Sequence, residues 1–176
     1  TARVTPEGLA GLMLELQAAG AHNINWVTPG HVLPWALEAL DIAAARGLRI
    51  PLVYNCSGFI SRPALEWLRG VVDVALPDIK WLRPESERAC GLNGLYAAGI
   101  RDVIAAWFEM AGPLRLDDDG IAVSGLLVRH LVLPGNLSDT DAALAFLEPF
   151  LAAGAAISLM AQYNPPAGRN LPPPLD

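Results

Sequence analysis

The sequence predicts an α/β fold built on a parallel sheet, on two observations. Short β-branched and apolar runs alternate with Ala- and Leu-rich amphipathic stretches, the order that βα units produce. Each run also passes from an apolar body into a polar, Gly or Pro terminus. Residues 71–80 are the clearest case: Val71-Val72-Asp73-Val74-Ala75-Leu76-Pro77 leads into Asp78, Ile79 and Lys80. This stretch is too short for a typical helix and continuous enough for a strand buried on both faces. In a barrel or wound sheet the ends of parallel strands share one face, where ligands bind, so the polar tips are expected to converge on one site.

The 176 residues suit one domain, and 53% hydrophobic residues supply a core. A net charge of −6 with only twelve Lys and Arg, thinly spread, argues against a nucleic-acid partner. No apolar run reaches the roughly 18 residues that span a bilayer, and the first residues lack a signal-peptide core, so no membrane partner and a cytoplasmic location are expected. Cys56 and Cys90 have no CxxC spacing, which indicates neither a disulfide framework nor a metal knuckle. Cys90 reads as a small buried hydrophobe.

Taken in order, Thr5-Pro6-Glu7-Gly8 opens a helix with a capping hydroxyl, Pro at its first position and an early acid. It runs to about Ala19, with Leu9, Leu12, Met13 and Leu16 as a core stripe and Gly20 at its end. No strand precedes it, so a first strand is expected before Thr1, which would leave the strand at Ile24 to Val27 with an open edge. In that strand Asn23, Asn25 and Val27 alternate onto one side. Residues 34–46 form a second helix closed by Gly47. Residues 50–54 form a strand running into the polar turn Asn55-Cys56-Ser57-Gly58-Phe59. Ser61 and Pro63 start a third helix with Leu65 and Leu68 inward.

After the strand that ends at Lys80, residues 84–89 and 101–111 are helical, interrupted at Gly91-Leu92-Asn93-Gly94. Residues 114–123 read as a small hairpin turning at Asp119-Gly120. Asp117-Asp118-Asp119 lacks the spacing and distal Glu of a calcium loop and reads as a solvated turn. Residues 125–134 are the next strand. Of its neighbours Arg129 and His130 at most one faces a lumen, and a guanidinium there needs an anionic partner. Asp139-Thr140-Asp141 starts a helix to about Ala153, and residues 156–162 form the last strand. Residues 1–165 make the core, and the Pro-rich residues 166–176 are expected to be an extended or disordered tail.

These segments resemble a known family. The residues that carry the likeness are Gly20-Ala21-His22-Asn23-Ile24-Asn25 with Val27-Thr28-Pro29, Val53 to Phe59, Val72 to Lys80, Gly125 to Gly135 and Ile157 to Tyr163. Together they are similar to the radical S-adenosylmethionine proteins related to pyruvate formate-lyase activating enzyme, and most to the uncharacterised iron–sulfur homologues of that enzyme. The resemblance implies a partial (β/α)6 TIM-like barrel, here lacking the first strand. It also implies a [4Fe–4S] cluster held by a CxxxCxxC loop that would lie before Thr1, since neither Cys56 nor Cys90 matches it.

The resemblance further implies a cosubstrate cradle for S-adenosylmethionine. Thr28 and Pro29 stand where the family has a GGEP loop that meets the methionine amino group. Asn55, Cys56 and Ser57 match a polar turn in which the activating enzymes carry an Asp. Asp78 and Lys80 match a pair close to the methionine carboxylate and to a monovalent cation, and Arg129 matches an arginine that reaches the cosubstrate. The implied activity is that of an oxidoreductase generating a 5′-deoxyadenosyl radical for hydrogen abstraction, with an electron donor such as flavodoxin or ferredoxin and an unassigned substrate for which a glycyl-radical protein is one candidate. Two other classes stand beside it: a Schiff-base, aldolase-like barrel using Lys80, and a non-catalytic module for a nucleotide-like ligand.

Overall fold

Each apolar run becomes a strand, and the stretches between them become helices. The structure, a computed structural model, describes residues 4–168 and 173–175. Of the expected tail, residues 169–172 and 176 lie outside the described residues, while Tyr163 Oη donates a 2.8 Å hydrogen bond to the Leu175 carbonyl. The elements run α1 (Pro6–Ala18), β1 (Ile24–Val27), α2 (Leu33–Ala45), β2 (Leu52–Cys56), α3 (Arg62–Trp67) and β3 (Val74–Ile79). They continue with α4 (Pro84–Ala89), α5 (Leu95–Ala111), β4 (Arg115–Leu116), β5 (Ala122–Leu131), α6 (Thr140–Ala152) and β6 (Ala156–Met160).

Strands β1, β2, β3, β5 and β6 are parallel neighbours in that order, and β4 pairs antiparallel with the start of β5 as the expected hairpin. The fold is therefore α/β with a mostly parallel six-stranded sheet. Among the described residues β1 and β6 pair with one neighbour each and not with each other, so the sheet is not closed. No described helix is long and apolar enough to cross a membrane.

Strand alternation divides the sheet into two faces. Ile24, Trp26, Leu52, Tyr54, Ala75, Ile79, Leu126 and Val128 are buried in one cluster with Met13, Ala39, Leu65, Ile104, Trp107 and Leu147 from the helices. The register places Asn25 beside Val53, Val27 beside Asn55, Asn55 beside Leu76, Asp78 beside Arg129 and Arg129 beside Ser158 on the other face. That face is the open one: Asn25 and Val27 are exposed, and Leu76, Asp78, Arg129 and Ser158 are half-buried.

The caps form where expected. Thr5 Oγ1 accepts from the Gly8 N–H and Ser61 Oγ from the Ala64 N–H, while Leu65 and Leu68 are buried. Three readings are corrected. On α1 the buried residues are Ala10 and Met13, whereas Leu12 and Leu16 are 48% and 50% exposed. Leu12 lines a groove with Leu9, Val32 and Trp35 that is open to solvent. Strand β2 continues through Asn55 and Cys56 because both keep pairing with β3.

The third correction concerns α5, which begins at Leu95 and not Arg101. The Glu87 carboxylate accepts from the N–H groups of Tyr96 and Ala97 at 3.3 and 2.8 Å, satisfying the first turn from a different helix. This also accounts for Glu87 being only 2% exposed.

Candidate functional site

The exit of β3 brings Asp78 to the open face, and the adjacency of β3 and β5 sets Arg129 directly beside it. Arg129 donates to Asp78 Oδ1 from Nε at 2.8 Å and from Nη2 at 2.7 Å. Lys80 Nζ reaches the other oxygen, Oδ2, at 2.9 Å. One carboxylate is thus divided between two cations, leaving one positive charge in excess in a chain whose net charge is −6. The Asp78 side chain is 16% exposed, Arg129 31% and Lys80 42%, so the pairs are shielded at the carboxylate and open at the ammonium. This is the anionic partner that a guanidinium on a strand requires.

Two contacts fix that exit. The Tyr96 hydroxyl donates to the Asp78 carbonyl at 2.7 Å and accepts from the Lys80 N–H at 3.1 Å, spanning the residue between them. Burial pushes the Tyr96 phenol well above its ordinary pKa, so it remains a donor at any working pH. On the far side, buried Asp139 accepts from the N–H groups of Leu82 and Arg83 at 3.0 and 2.8 Å, from Arg83 Nη1 at 3.2 Å and from Ser86 Oγ. The loop after β3 is therefore clamped to the loop before α6. Arg83 also forms a two-point pair with exposed Asp141, which holds that carboxyl below the usual range.

His130, on the helix side, is fully buried. Its Nδ1 lies 2.8 Å from the Ile79 carbonyl, which can only accept, so Nδ1 carries the proton and Nε2 accepts from Thr140 Oγ1 at 2.9 Å. Burial first of all lowers its pKa, against the opposing pull of the Ile79 hydrogen bond and the Asp139 charge. The folded state therefore takes a proton less readily than the unfolded state. Its contribution is complete above the ordinary value of 6.5 and is lost as pH falls below it. The urea midpoint is expected to drop between pH 7 and 5, and the drop to shrink in His130→Asn, whose amide can keep the Ile79 hydrogen bond. An equal drop in both proteins would remove His130 as its source.

A cavity of about 370 Å³ opens between the ends of β3, β5 and β6, lined by Asp78, Lys80, Arg129, Ser138, Met160 and Gln162. Asn55 lies on the same face one strand over. It is 8% exposed, and its side-chain amide makes no hydrogen bond among the described residues. That amide is therefore free to meet a ligand from the open face, whereas the buried polar side-chain atoms left without a partner among the described residues are the indole nitrogens of Trp26, Trp81 and Trp107.

The other expected site residues divide. Ser57 follows β2 and lines a second hollow next to Lys80. Thr28 holds φ +52°, a left-handed conformation that a β-branched residue rarely adopts, and its N–H donates to the Asn55 carbonyl at 2.8 Å. The chain after β1 is thus tied to the tip of β2, while Pro29 is buried. Cys56 alternates with Asn55 and faces the helices. It is 7% exposed, and burial chiefly pushes its thiol up to about 11, with Asp78 adding to the rise and Arg129 and Lys80 opposing it. A neutral buried thiol is neither a nucleophile nor a ready ligand. Among the described residues no group of three or more His, Cys, Asp or Glu could hold a metal ion.

The chain is similar at 28% identity over 144 residues to an uncharacterized protein of Methanocaldococcus jannaschii. The match takes in 81% of this chain and 38% of that protein, so the chain spans well under half of the relative's length. No family model matches the chain, and no solved structure matches it.

Proposed function

We propose that this chain forms the S-adenosylmethionine cradle of a radical oxidoreductase related to the activating enzymes. The observation that carries the reading is the Asp78 carboxylate held between Arg129 and Lys80 at the mouth of a cavity on the open face. The donor set suits the cosubstrate. Arg129 and Lys80 together offer the surplus positive charge that an amino-acid carboxylate needs, and Asn55 and Gln162 offer neutral hydrogen-bonding groups for amine and ribose hydroxyls. When bound, S-adenosylmethionine supplies the hydrogen-abstracting chemistry, and the residues of this chain bind and orient it.

The residues of this chain do not fit an iron–sulfur cluster. Cys56 is turned to the helices with its thiol raised, and Cys90 stands alone at the end of α4. The proposal therefore concerns the cradle, and no step is routed through a cluster. No observation favours the Schiff-base reading: a nucleophilic lysine is desolvated in an apolar pocket, whereas Lys80 is 42% exposed and ion-paired.

The test is calorimetric titration with S-adenosylmethionine. Arg129→Ala and Asp78→Asn are each expected to weaken binding on the order of tenfold or more, as removing one partner of a shielded charge pair does. Lys80 Nζ already stands beside Asp78, the place the resemblance gives to a monovalent cation. Wild-type binding is accordingly expected to be indifferent to potassium and sodium, and Lys80→Met to become responsive to them. Affinity unchanged in both Asp78→Asn and Arg129→Ala would sink the cradle. Binding by a protein that never turns the cosubstrate over would favour the non-catalytic module.

A further inference from the structure

We propose that a second pocket beside the charged trio binds a small carboxylic acid with an aromatic or branched apolar body. This deepens the reading above by naming the class of a second ligand at the same site, and it rests on that reading only for the identity of its neighbour. The pocket, about 320 Å³, lies between the turn after β2 and the start of α5. Its walls are Phe59, Trp81, Leu92, Leu95 and Tyr96, with Trp81 and Tyr96 packed edge to face at 5.8 Å. Phe59, Leu92 and Leu95 are 68%, 51% and 62% exposed. A single exposed apolar side chain is ordinary, but three around one hollow make a surface that gains by being covered.

The polar groups of the pocket decide the chemistry of what covers it. Ser57 Oγ accepts from the Phe59 N–H at 3.4 Å, which leaves its hydroxyl proton to donate. Asn93 Oδ1 accepts from the Leu95 N–H at 3.1 Å, which leaves its NH2 group. The Glu87 oxygens are taken by the N–H groups of Tyr96 and Ala97, and the Tyr96 hydroxyl is saturated by Asp78 and Lys80. Lys80 adds an ammonium that shares one carboxylate with Arg129. The protons left to donate are those of the Ser57 hydroxyl, the Asn93 amide, the Trp81 indole, which has no partner among the described residues, and the Lys80 ammonium, while the Glu87 carboxylate is only 2% exposed. Such a set recognises an anionic acceptor, and the apolar walls select the body attached to it.

Lys80 and Trp81 line both this pocket and the cavity at Arg129. An acid whose carboxylate meets Lys80 therefore sits next to whatever occupies that cavity, as the second reactant of a two-ligand site would.

The probes are 4-phenylbutyrate and its neutral amide, titrated into the protein by NMR with and without S-adenosylmethionine. The acid is expected to bind at least tenfold tighter than the amide and to shift the amide signals of Phe59, Asn93 and Leu95. Lys80→Met should erase the preference, and Phe59→Ala should weaken both probes alike. Equal affinities in the wild type would overturn the proposal without recourse to any variant. So would shifts confined to the α1–α2 groove around Trp35, or displacement of the acid by inorganic phosphate at equal concentration. The two proposals fail separately: lost S-adenosylmethionine binding with acid binding intact refutes the cradle alone, and the reverse refutes the pocket alone.

Discussion

Replacing Asp139 with alanine is expected to cost about 3–5 kcal/mol of stability, the range for removing one partner of a buried charged pair. The carboxylate is 1% exposed and accepts from two main-chain N–H groups, the Arg83 guanidinium and Ser86. Alanine would leave the N–H groups of Leu82 and Arg83 without acceptors, and the Leu82 side chain is itself 1% exposed. Asp141 provides the internal comparison. It meets the same guanidinium, yet its side chain is 59% exposed and its charge is screened by water, so Asp141→Ala is expected to cost far less than Asp139→Ala. Urea unfolding of the two variants measures the contrast. Similar small losses in both would mean that the loops after β3 and before α6 are held independently. The clamp also bears on function, because Lys80 and Trp81 immediately precede the residues that Asp139 holds.

Much of this was legible in the chain, and the rest was hidden for identifiable reasons. The strand tips were legible because a parallel sheet buries the bodies of its strands and exposes only their exits, so that a charge at the end of an apolar run marks the open edge. That is how Asp78, Lys80 and Arg129 emerge as candidates. Their pairing needed one further fact, that β3 and β5 are neighbours with a hairpin strand between them in sequence. The alternation that separates Arg129 from His130 applies equally to Asn55 and Cys56, but the latter two read as a turn and so escaped it. Tyr96 and Glu87 left no local signal. The start of α5 has Gly94 at φ +84° in place of a capping Ser or Asp, and its cap arrives from α4 through space. Asp139 does carry a helix-start signal, yet its carboxylate serves another loop 56 residues away. The exposed Leu12 and Leu16 show the opposite failure, since their spacing fits a buried stripe and only packing against α2 decides which flank of α1 turns inward.

Gly58→Ala is expected to lower stability by roughly 2–5 kcal/mol, adding about 1–2 for a left-handed residue to about 1–3 for overpacking. Gly58 holds φ +80°, and a Cβ there would stand 2.5 Å from the Asp78 carbonyl oxygen, 2.6 Å from Ile100 Cδ1 and 2.8 Å from the Tyr96 hydroxyl. Ile100 could turn aside, being the end of a flexible chain. The other two cannot, because the carbonyl belongs to β3 and the phenol is held by its bonds to Asp78 and Lys80. Gly20 separates the two contributions: it holds φ +85° with nothing within 4 Å of its Cβ position, so Gly20→Ala carries the conformational cost alone. The difference between the two variants in urea unfolding therefore reads the clash. A second consequence follows from where the clash falls. Relieving it moves the Asp78 main chain or the Tyr96 ring, and either movement shifts the carboxylate shared by Arg129 and Lys80. Gly58→Ala should accordingly weaken S-adenosylmethionine binding at temperatures where it is still folded, while Gly20→Ala should leave it unchanged. Equal losses of stability in the two variants would show that the tip of β2 does not press on the exit of β3 as closely as these distances require.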